Sequence, residues 1–240
     1  MKVVVWVLSI CILLSGAWAA RYLTSQPSHR IKDIPLAAFT AGKTPQNIVF
    51  FGTSLTVGNA WPERLIEGLS ECFGHSVALT RIAQTGAGSD WGVGAIDQVI
   101  DQQPDIVLLE FVINDADIRD GTSLRNSREN HIEIINRLQT ELPESQHIVL
   151  TMSPAHGLRG LLRPRLAQYV DMTIDVANDA GVSAIDFYPR WHEIDWKPLL
   201  PDGLHPTDDA TRSVMDNVLL NHFAEAITHD CAPIVHQATQ

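Results

Sequence analysis

The sequence predicts an α/β domain built on a parallel sheet, and three observations lead there. Short apolar runs alternate with longer stretches of helical period, and the alternation repeats five times. The boundaries carry breaker residues: Pro104-Asp105 and Leu142-Pro143 close two helical stretches, and Gly181 stands where a helix C-cap belongs. Nothing between residues 46 and 228 resembles an internal repeat or a linker between domains.

The apolar runs, expected as strands, are residues 47–51, 77–83, 106–111, 147–152 and 182–187. Helices are expected over residues 61–72, 92–102, 127–141, 164–180 and 208–227. With 45% hydrophobic and 19% charged residues in a chain of 240, there is apolar surface for one core, and residues 46–228 are expected as a single domain. Residues 229–240 show no period and read as a C-terminal tail.

The first 20 residues differ from the rest. Lys2 precedes an apolar run from Val3 to Leu14, and Ala17-Trp18-Ala19 has the small-residue pattern of a cleavage site. The segment reads as a secretory signal peptide, or as a signal anchor if it is retained. Either way the domain is expected outside the cytoplasm, periplasmic, secreted or membrane-anchored, behind a polar tether over residues 21–45. Loss of the leader removes Cys11 and leaves Cys72 and Cys231, either a disulfide pair or two separate small apolar residues. A formal charge of −11 without any Lys/Arg-rich stretch argues against a nucleic-acid partner.

Loops at the carboxyl ends of parallel strands converge on one rim of the sheet, where α/β proteins hold ligands. There the sequence puts Gly52-Thr53-Ser54-Leu55, Gly86-Ala87-Gly88-Ser89-Asp90, Val112-Ile113-Asn114-Asp115 and Ser153-Pro154-Ala155-His156. Asp202-Gly203-Leu204-His205-Pro206 comes just before the last helix. A serine in a tight strand-to-helix turn is presented outward, but it is a weak nucleophile without a base and a group that fixes the base's tautomer. Asp202 and His205, three residues apart in one turn, supply both. Acyl transfer also needs donors for an oxyanion, and the Ser54 N–H, the Gly88 N–H and the Asn114 side chain fit that need.

In this order the motifs resemble the SGNH (GDSL-like) hydrolase family. Phe51-Gly52-Thr53-Ser54-Leu55-Thr56 is similar to its first block, Gly88 to its second, Asn114-Asp115 to its third and Asp202-x-x-His205 to its fifth. The resemblance runs from Asn47 to about Ile227. It implies a flavodoxin-like three-layer α/β/α sandwich around a five-stranded parallel sheet, and hydrolysis of oxygen or thiol esters. Thr53 stands where the family usually has aspartate, and Val112 where it usually has glycine, so a narrowed acyl site is expected. The second block offers Gly86 as well as Gly88; the family's N-x-x-x-x-G spacing, started at Ala83, selects Gly88.

Each residue also has a plainer reading. Ser54 alone would serve as a helix N-cap, Asp202 as a turn former, and His205 is one of ten histidines. Glu110 interrupts an apolar strand and reads as a buried hydrogen-bonding partner rather than an acid. Asp115 reads as structural. Asp90, Trp91 and His156 are candidates for substrate contact, Trp91 by stacking on a sugar and His156 from the rim. No metal-ligand spacing is present, and no cofactor is implied. The expectation is a metal-independent esterase that passes through an acyl-Ser54 intermediate on short acyl esters, acetyl foremost, of a small molecule or carbohydrate. An O-acyltransferase, and a lipase or thioesterase, are the alternatives. A binding module that has lost catalysis has no need of Ser54, Asn114, Asp202 and His205 together.

Overall fold

The computed structural model describes residues 30–39 and 44–226. The leader, the end of the chain beyond residue 226, Cys11 and Cys231 lie outside these residues. Five strands, β1 (Asn47–Gly52), β2 (Ala78–Ala83), β3 (Ile106–Leu109), β4 (Gln146–Thr151) and β5 (Ser183–Asp186), form one parallel sheet in the order β2-β1-β3-β4-β5. β1 to β4 are joined in register, Phe51 beside Leu109 and Leu109 beside Val149.

The expected helices form as α1 (Trp61–Phe73), α2 (Ser89–Ile100), α3 (Leu124–Glu141) and α4 (Leu166–Ala180), with α5 (Asn217–Ala226) last. α3 packs on α2 and α4 over one face of the sheet, and α1 meets α5 on the other, which makes three layers. β1, β3 and β4 are buried on both sides, as the continuous apolar runs require of a sheet covered on both faces. The core joins Phe50, Phe51, Phe111, Phe187, Trp61 and Trp191 with the aliphatic strand residues.

Several boundaries differ from expectation for identifiable reasons. α2 begins three residues early because Gly88 takes the N-cap, and α3 begins at Leu124 because the Ser123 hydroxyl accepts from Asn126 N–H at 3.1 Å. β3 ends at Leu109, with the Glu110 N–H still donating to the Phe51 carbonyl at 3.0 Å, before a single helical turn, Val112–Asp115. Similar one-turn helices follow β1 at Ser54–Val57, β4 at Gly157–Leu161 and β5 at Phe187–Trp191, too short to leave a period in the sequence. The expected continuous last helix is broken by a π turn at Arg212–Asp216, where Arg64 of α1 donates to Asp216 at 2.6 and 3.0 Å. Cys72, in α1, is disulfide-bonded, and both other cysteines lie outside the described residues.

Part of the expected polar tether is instead ordered on the domain. Ile34 exchanges backbone hydrogen bonds with Ala184 at 2.9 and 3.0 Å, which covers the open edge of β5, and Leu36 is buried. Asp33 accepts from both outer nitrogens of Arg190 at 2.6 and 2.9 Å, from the Asp186 N–H at 2.9 Å and from His222 at 3.1 Å. Burial works against its charge, but His222 and Arg190 outweigh it and hold the carboxyl well below the usual range. Composition hid this, because Lys32 and Asp33 look like solvated charges until their partners 139 to 189 residues away are in place.

Asp33→Ala is expected to cost about 2–3 kcal/mol by urea unfolding, since it leaves Arg190 and the Asp186 N–H without their acceptor. The activity of the molecules that remain folded should not change. The contribution should be present above the ordinary carboxylate pKa and disappear on acidification, as Asp33 takes up a proton.

Candidate active site

The order β2-β1-β3 makes the boundary of β1 and β3 the place where the chain reverses direction across the sheet, and it is beyond the strand ends at such a boundary that α/β sheets have their ligand crevice. Ser54 follows β1 and Asn114 follows β3. Gly52 ends β1 without a side chain because a Cβ there would stand 2.9 Å from the Glu110 carbonyl oxygen and run into its carboxylate. Thr53 is extended and caps the short helix, its hydroxyl accepting from Leu55 N–H at 3.2 Å. That leaves Ser54 at the first helical position, nearly buried, at the crevice.

The turn is bound to β3 through Glu110. Its Oε1 accepts the Thr53 N–H at 2.6 Å and the Thr56 hydroxyl at 2.8 Å, and its Oε2 accepts the Thr53 hydroxyl at 3.0 Å. Glu110 is buried, and desolvation pushes its pKa up to about 7 against the pull of the three donors. It is the hydrogen-bonding carboxylate its place in an apolar strand suggested. Thr53, in place of the usual aspartate, offers a neutral hydroxyl to it.

The second half of the site is a turn tied down on several sides. Gly203 has φ +83, and a Cβ on it would come within 2.7 Å of the His156 carbonyl oxygen, so both its conformation and its surroundings demand glycine. His156 N–H donates to the Gly203 carbonyl at 2.9 Å, and the His156 ring bonds the Leu200 carbonyl at the same distance. Within the turn, Asp202 Oδ1 accepts from Leu204 N–H at 3.0 Å and His205 N–H at 2.8 Å, leaving Oδ2 2.7 Å from His205 Nδ1. His205 Nε2 is 2.8 Å from Ser54 Oγ. Partial burial would raise the Asp202 pKa, but the His205 and Leu204 hydrogen bonds prevail and hold it down to about 2. An ionised carboxylate only accepts, so the Nδ1 proton belongs to the histidine, and Nε2 is free to accept from the serine hydroxyl.

The candidate oxyanion donors are gathered by Asp115 and Asn114. Asp115 is buried and accepts the Ser89 N–H at 2.7 Å and the Ser127 hydroxyl, holding the start of α2 against the end of β3. A Cβ on Gly88 would lie 2.8 Å from Asp115 Oδ1 and 2.9 Å from Asp90 Oδ1, so no side chain fits. Gly86, with φ +78 and open space around it, is a turn residue. Asn114 Nδ2 donates to the Ala87 carbonyl at 2.9 Å.

The remaining expectations fare differently. The half-buried Trp91 ring packs against Phe51 and Phe111, at centroid distances of 5.9 and 6.3 Å, and so anchors α2. Asp90 is exposed beside Gly88. The His156 ring is engaged by Leu200 and lies edge-on to Trp196, which makes it a prop for the Asp202 turn rather than a free rim residue. Val112 is buried and lines a small pocket with Ile113, Leu150, Met152, Ser153 and Leu166. Arg163, a buried guanidinium bonded to Asn114, left no signal in the sequence, since a lone arginine in a loop reads as a solvated charge.

The profile of the GDSL-like lipase/acylhydrolase family matches residues 50–212, and the chain belongs to this family of SGNH carboxylic ester hydrolases. Its fold is similar to that of a lipase/acylhydrolase from Enterococcus faecalis, with 22% identity and a TM-score of 0.66 over 75% of this chain and 95% of that one. It is also similar to the acetylxylan esterase Axe2 from Geobacillus stearothermophilus, with 16% identity and a TM-score of 0.63 over 82% and 98%. The psychrotrophic esterase EstA from Pseudoalteromonas sp. shows 16% identity and a TM-score of 0.56 over 75% and 96%. No curated protein sequence matches the chain significantly.

Glu110 imposes a testable pH dependence on stability. Its folded pKa of about 7 lies above the ordinary 4.5, so in that window the folded protein holds a proton that the unfolded chain has released. Stability should therefore fall as pH rises between these values, by up to about 1.4 kcal/mol per unit from this group. Urea titrations at several pH values should show Glu110→Gln lacking that component; an unchanged slope would place its source elsewhere.

Proposed function

We propose that this chain is an exported serine esterase that removes short acyl groups, acetyl foremost, from a carbohydrate or small-molecule ester. The observation that carries the reading is the hydrogen-bonded series Asp202, His205, Ser54, with steps of 2.7 and 2.8 Å, at the crevice between β1 and β3. In this reading His205 Nε2 takes the Ser54 proton as Oγ bonds to the ester carbonyl carbon. The resulting oxyanion is met by Ser54 N–H, Gly88 N–H and Asn114 Nδ2–H. His205 then gives the proton to the leaving alcohol, and the acyl-Ser54 ester is hydrolysed by a water that His205 deprotonates. Asp202 stays ionised throughout and keeps the imidazole in the tautomer the first step needs.

Export is supported by the leader-like residues 1–20, and an acetylated carbohydrate by the structural likeness to an acetylxylan esterase. The Asp202 and His205 side chains are 45% and 39% exposed, an open site that admits a bulky alcohol portion. A second reading, hydrolysis of longer acyl or lipid esters, draws on another observation. Leu158 and Leu161 are 73% and 75% exposed on the turn that follows His156, and Ile118, 62% exposed, is backbone-bonded to Leu162 at 2.9 Å. The loop that carries Leu158 and Leu161 also holds the Asp202 turn, through the His156 N–H to the Gly203 carbonyl. Relative rates on acetate and decanoate esters, and acetate release from acetylated xylan, separate the two readings. Product analysis with and without a sugar acceptor tests for acyl transfer.

A fluorophosphonate probe is expected to label the wild-type protein on Ser54 alone and Ser54→Ala not at all; folded wild type that stays unlabelled at Ser54 would sink the mechanism. Asp202→Asn is expected to lower kcat on the order of 10⁴-fold, because an amide also donates and favours the wrong imidazole tautomer. Activity should fall on acidification, because the base must be able to accept the Ser54 proton. Asp202 contributes nothing to that limb, since it remains ionised down to about pH 2.

A further inference from the structure

Asn114 can meet an oxyanion only if its amide nitrogen, and not its oxygen, faces the crevice. The two ends of a carboxamide have nearly the same shape, so their placement is decided by what surrounds them. On one side Nδ2 donates to the Ala87 carbonyl at 2.9 Å, an oxygen that can only accept. On the other, Oδ1 lies 3.4 Å from Arg163 Nη2, a nitrogen that can only donate. Turning the amide over would set oxygen against oxygen at Ala87 and NH₂ against a guanidinium.

Arg163 is itself held so that this contact cannot drift. It is 4% exposed, and its Nε donates to the Ile113 carbonyl at 2.6 Å and its Nη1 to the Arg159 carbonyl at 3.2 Å. Nη2 also lies 3.0 Å from Asp117 Oδ2, and Asp117 is buried and shared with Arg119 at 2.7 Å. Arg163 therefore grips the backbone of Ile113 and the side chain of Asn114, two consecutive residues, from a loop about 50 positions further along the chain. A cation on the amide oxygen also draws electron density from the nitrogen and makes Nδ2–H a stronger donor.

We propose that Arg163 is a positioning residue that fixes and polarises the Asn114 amide so that its second N–H is presented to the oxyanion. This rests on the reading of Asn114 as an oxyanion donor. Arg163 touches no reacting atom, and its effect passes through Asn114 alone. A lysine in its place carries the charge but a single point of donation, which cannot serve Ile113, Asp117 and Asn114 together.

The test is a double-mutant cycle with a soluble acetate ester, reading kcat and KM separately, with thermal unfolding as the check on folding. Asn114→Ala is expected to lower kcat about 10²- to 10³-fold, the usual cost of one oxyanion donor. Arg163→Lys is expected to lower kcat about tenfold with KM within about twofold, and to have less than about a twofold effect when Asn114 is already alanine. An equal kcat loss in both backgrounds, or a loss carried by KM, overturns the role of Arg163 and leaves that of Asn114 standing. If Asn114→Ala retains wild-type kcat, the oxyanion reading fails and the proposal with it. Should Arg163→Lys fold poorly, Asp117→Asn, which keeps the guanidinium but removes the charge that holds Nη2, enters the same cycle. It is expected to show the same dependence on Asn114, and its absence would overturn the proposal.

Discussion

A carboxylate buried without a neighbouring cation is tolerated only where hydrogen-bond donors replace the water it has lost, and Glu110 recruits all of its donors from the turn that carries Ser54. The arrangement works in both directions. Glu110 is satisfied because Thr53 and Thr56 face it, and those residues face it because β1 and β3 are neighbours whose ends lie in register. Gly52 is the one residue that lets the carboxylate approach the strand so closely. The position of the proposed nucleophile is thus set by a hydrogen-bond cluster beneath the crevice. The Thr53 hydroxyl lets the cluster form without placing a second negative charge against the first.

The proposed base comes from a different part of the chain and is fixed by different means. Asp202 and His205 have no strand or long helix under them; their turn is held by its own backbone donors and by His156. This division accounts for the unequal exposure of the two halves. Ser54, Glu110 and Asn114 are buried with the sheet ends, whereas Asp202 and His205 stand open to solvent. It also explains why Asp202 keeps its charge while Glu110 is pushed toward neutrality. Asp202 accepts three N–H donors at the protein surface, and Glu110 meets a much larger desolvation cost than its three donors offset. The third element, Asn114, has its own supports: Asp115 beside it accepts the Ser89 N–H, and Arg163, paired with Asp117, holds its amide oxygen.

The sheet and its five main helices were legible in the sequence because hydrophobic period is a local property and Pro104, Pro143 and Gly181 mark boundaries within a few residues of where they fall. Ser54, Asp202, His205 and Asn114 were legible because their motifs occur in a fixed order after particular strands. The meeting of Asp202, His205 and Ser54 at 2.7 and 2.8 Å, like the strand order that allows it, could not be read from spacing alone. Trp91 and His156 show the limit. Their residue types and loop positions suit substrate contact, but whether a ring is free depends on what packs against it, and Phe51, Phe111 and Leu200 all lie far from them in sequence.

By itself, the sequence determined which residues could do acid-base and nucleophilic chemistry, where the strands and helices lie, and that the chain is an α/β protein of the GDSL-like family. The first two follow from residue chemistry and from periodicities of two to four residues, and the family from the resemblance of its motifs. The tertiary structure alone decided that residues 30–39 cover the edge of β5. It also decided that a buried arginine holds the Asn114 amide in one orientation. Each of these depends on partners roughly 50 to 190 positions apart or on the balance of burial against hydrogen bonding, which exists only once the chain has folded.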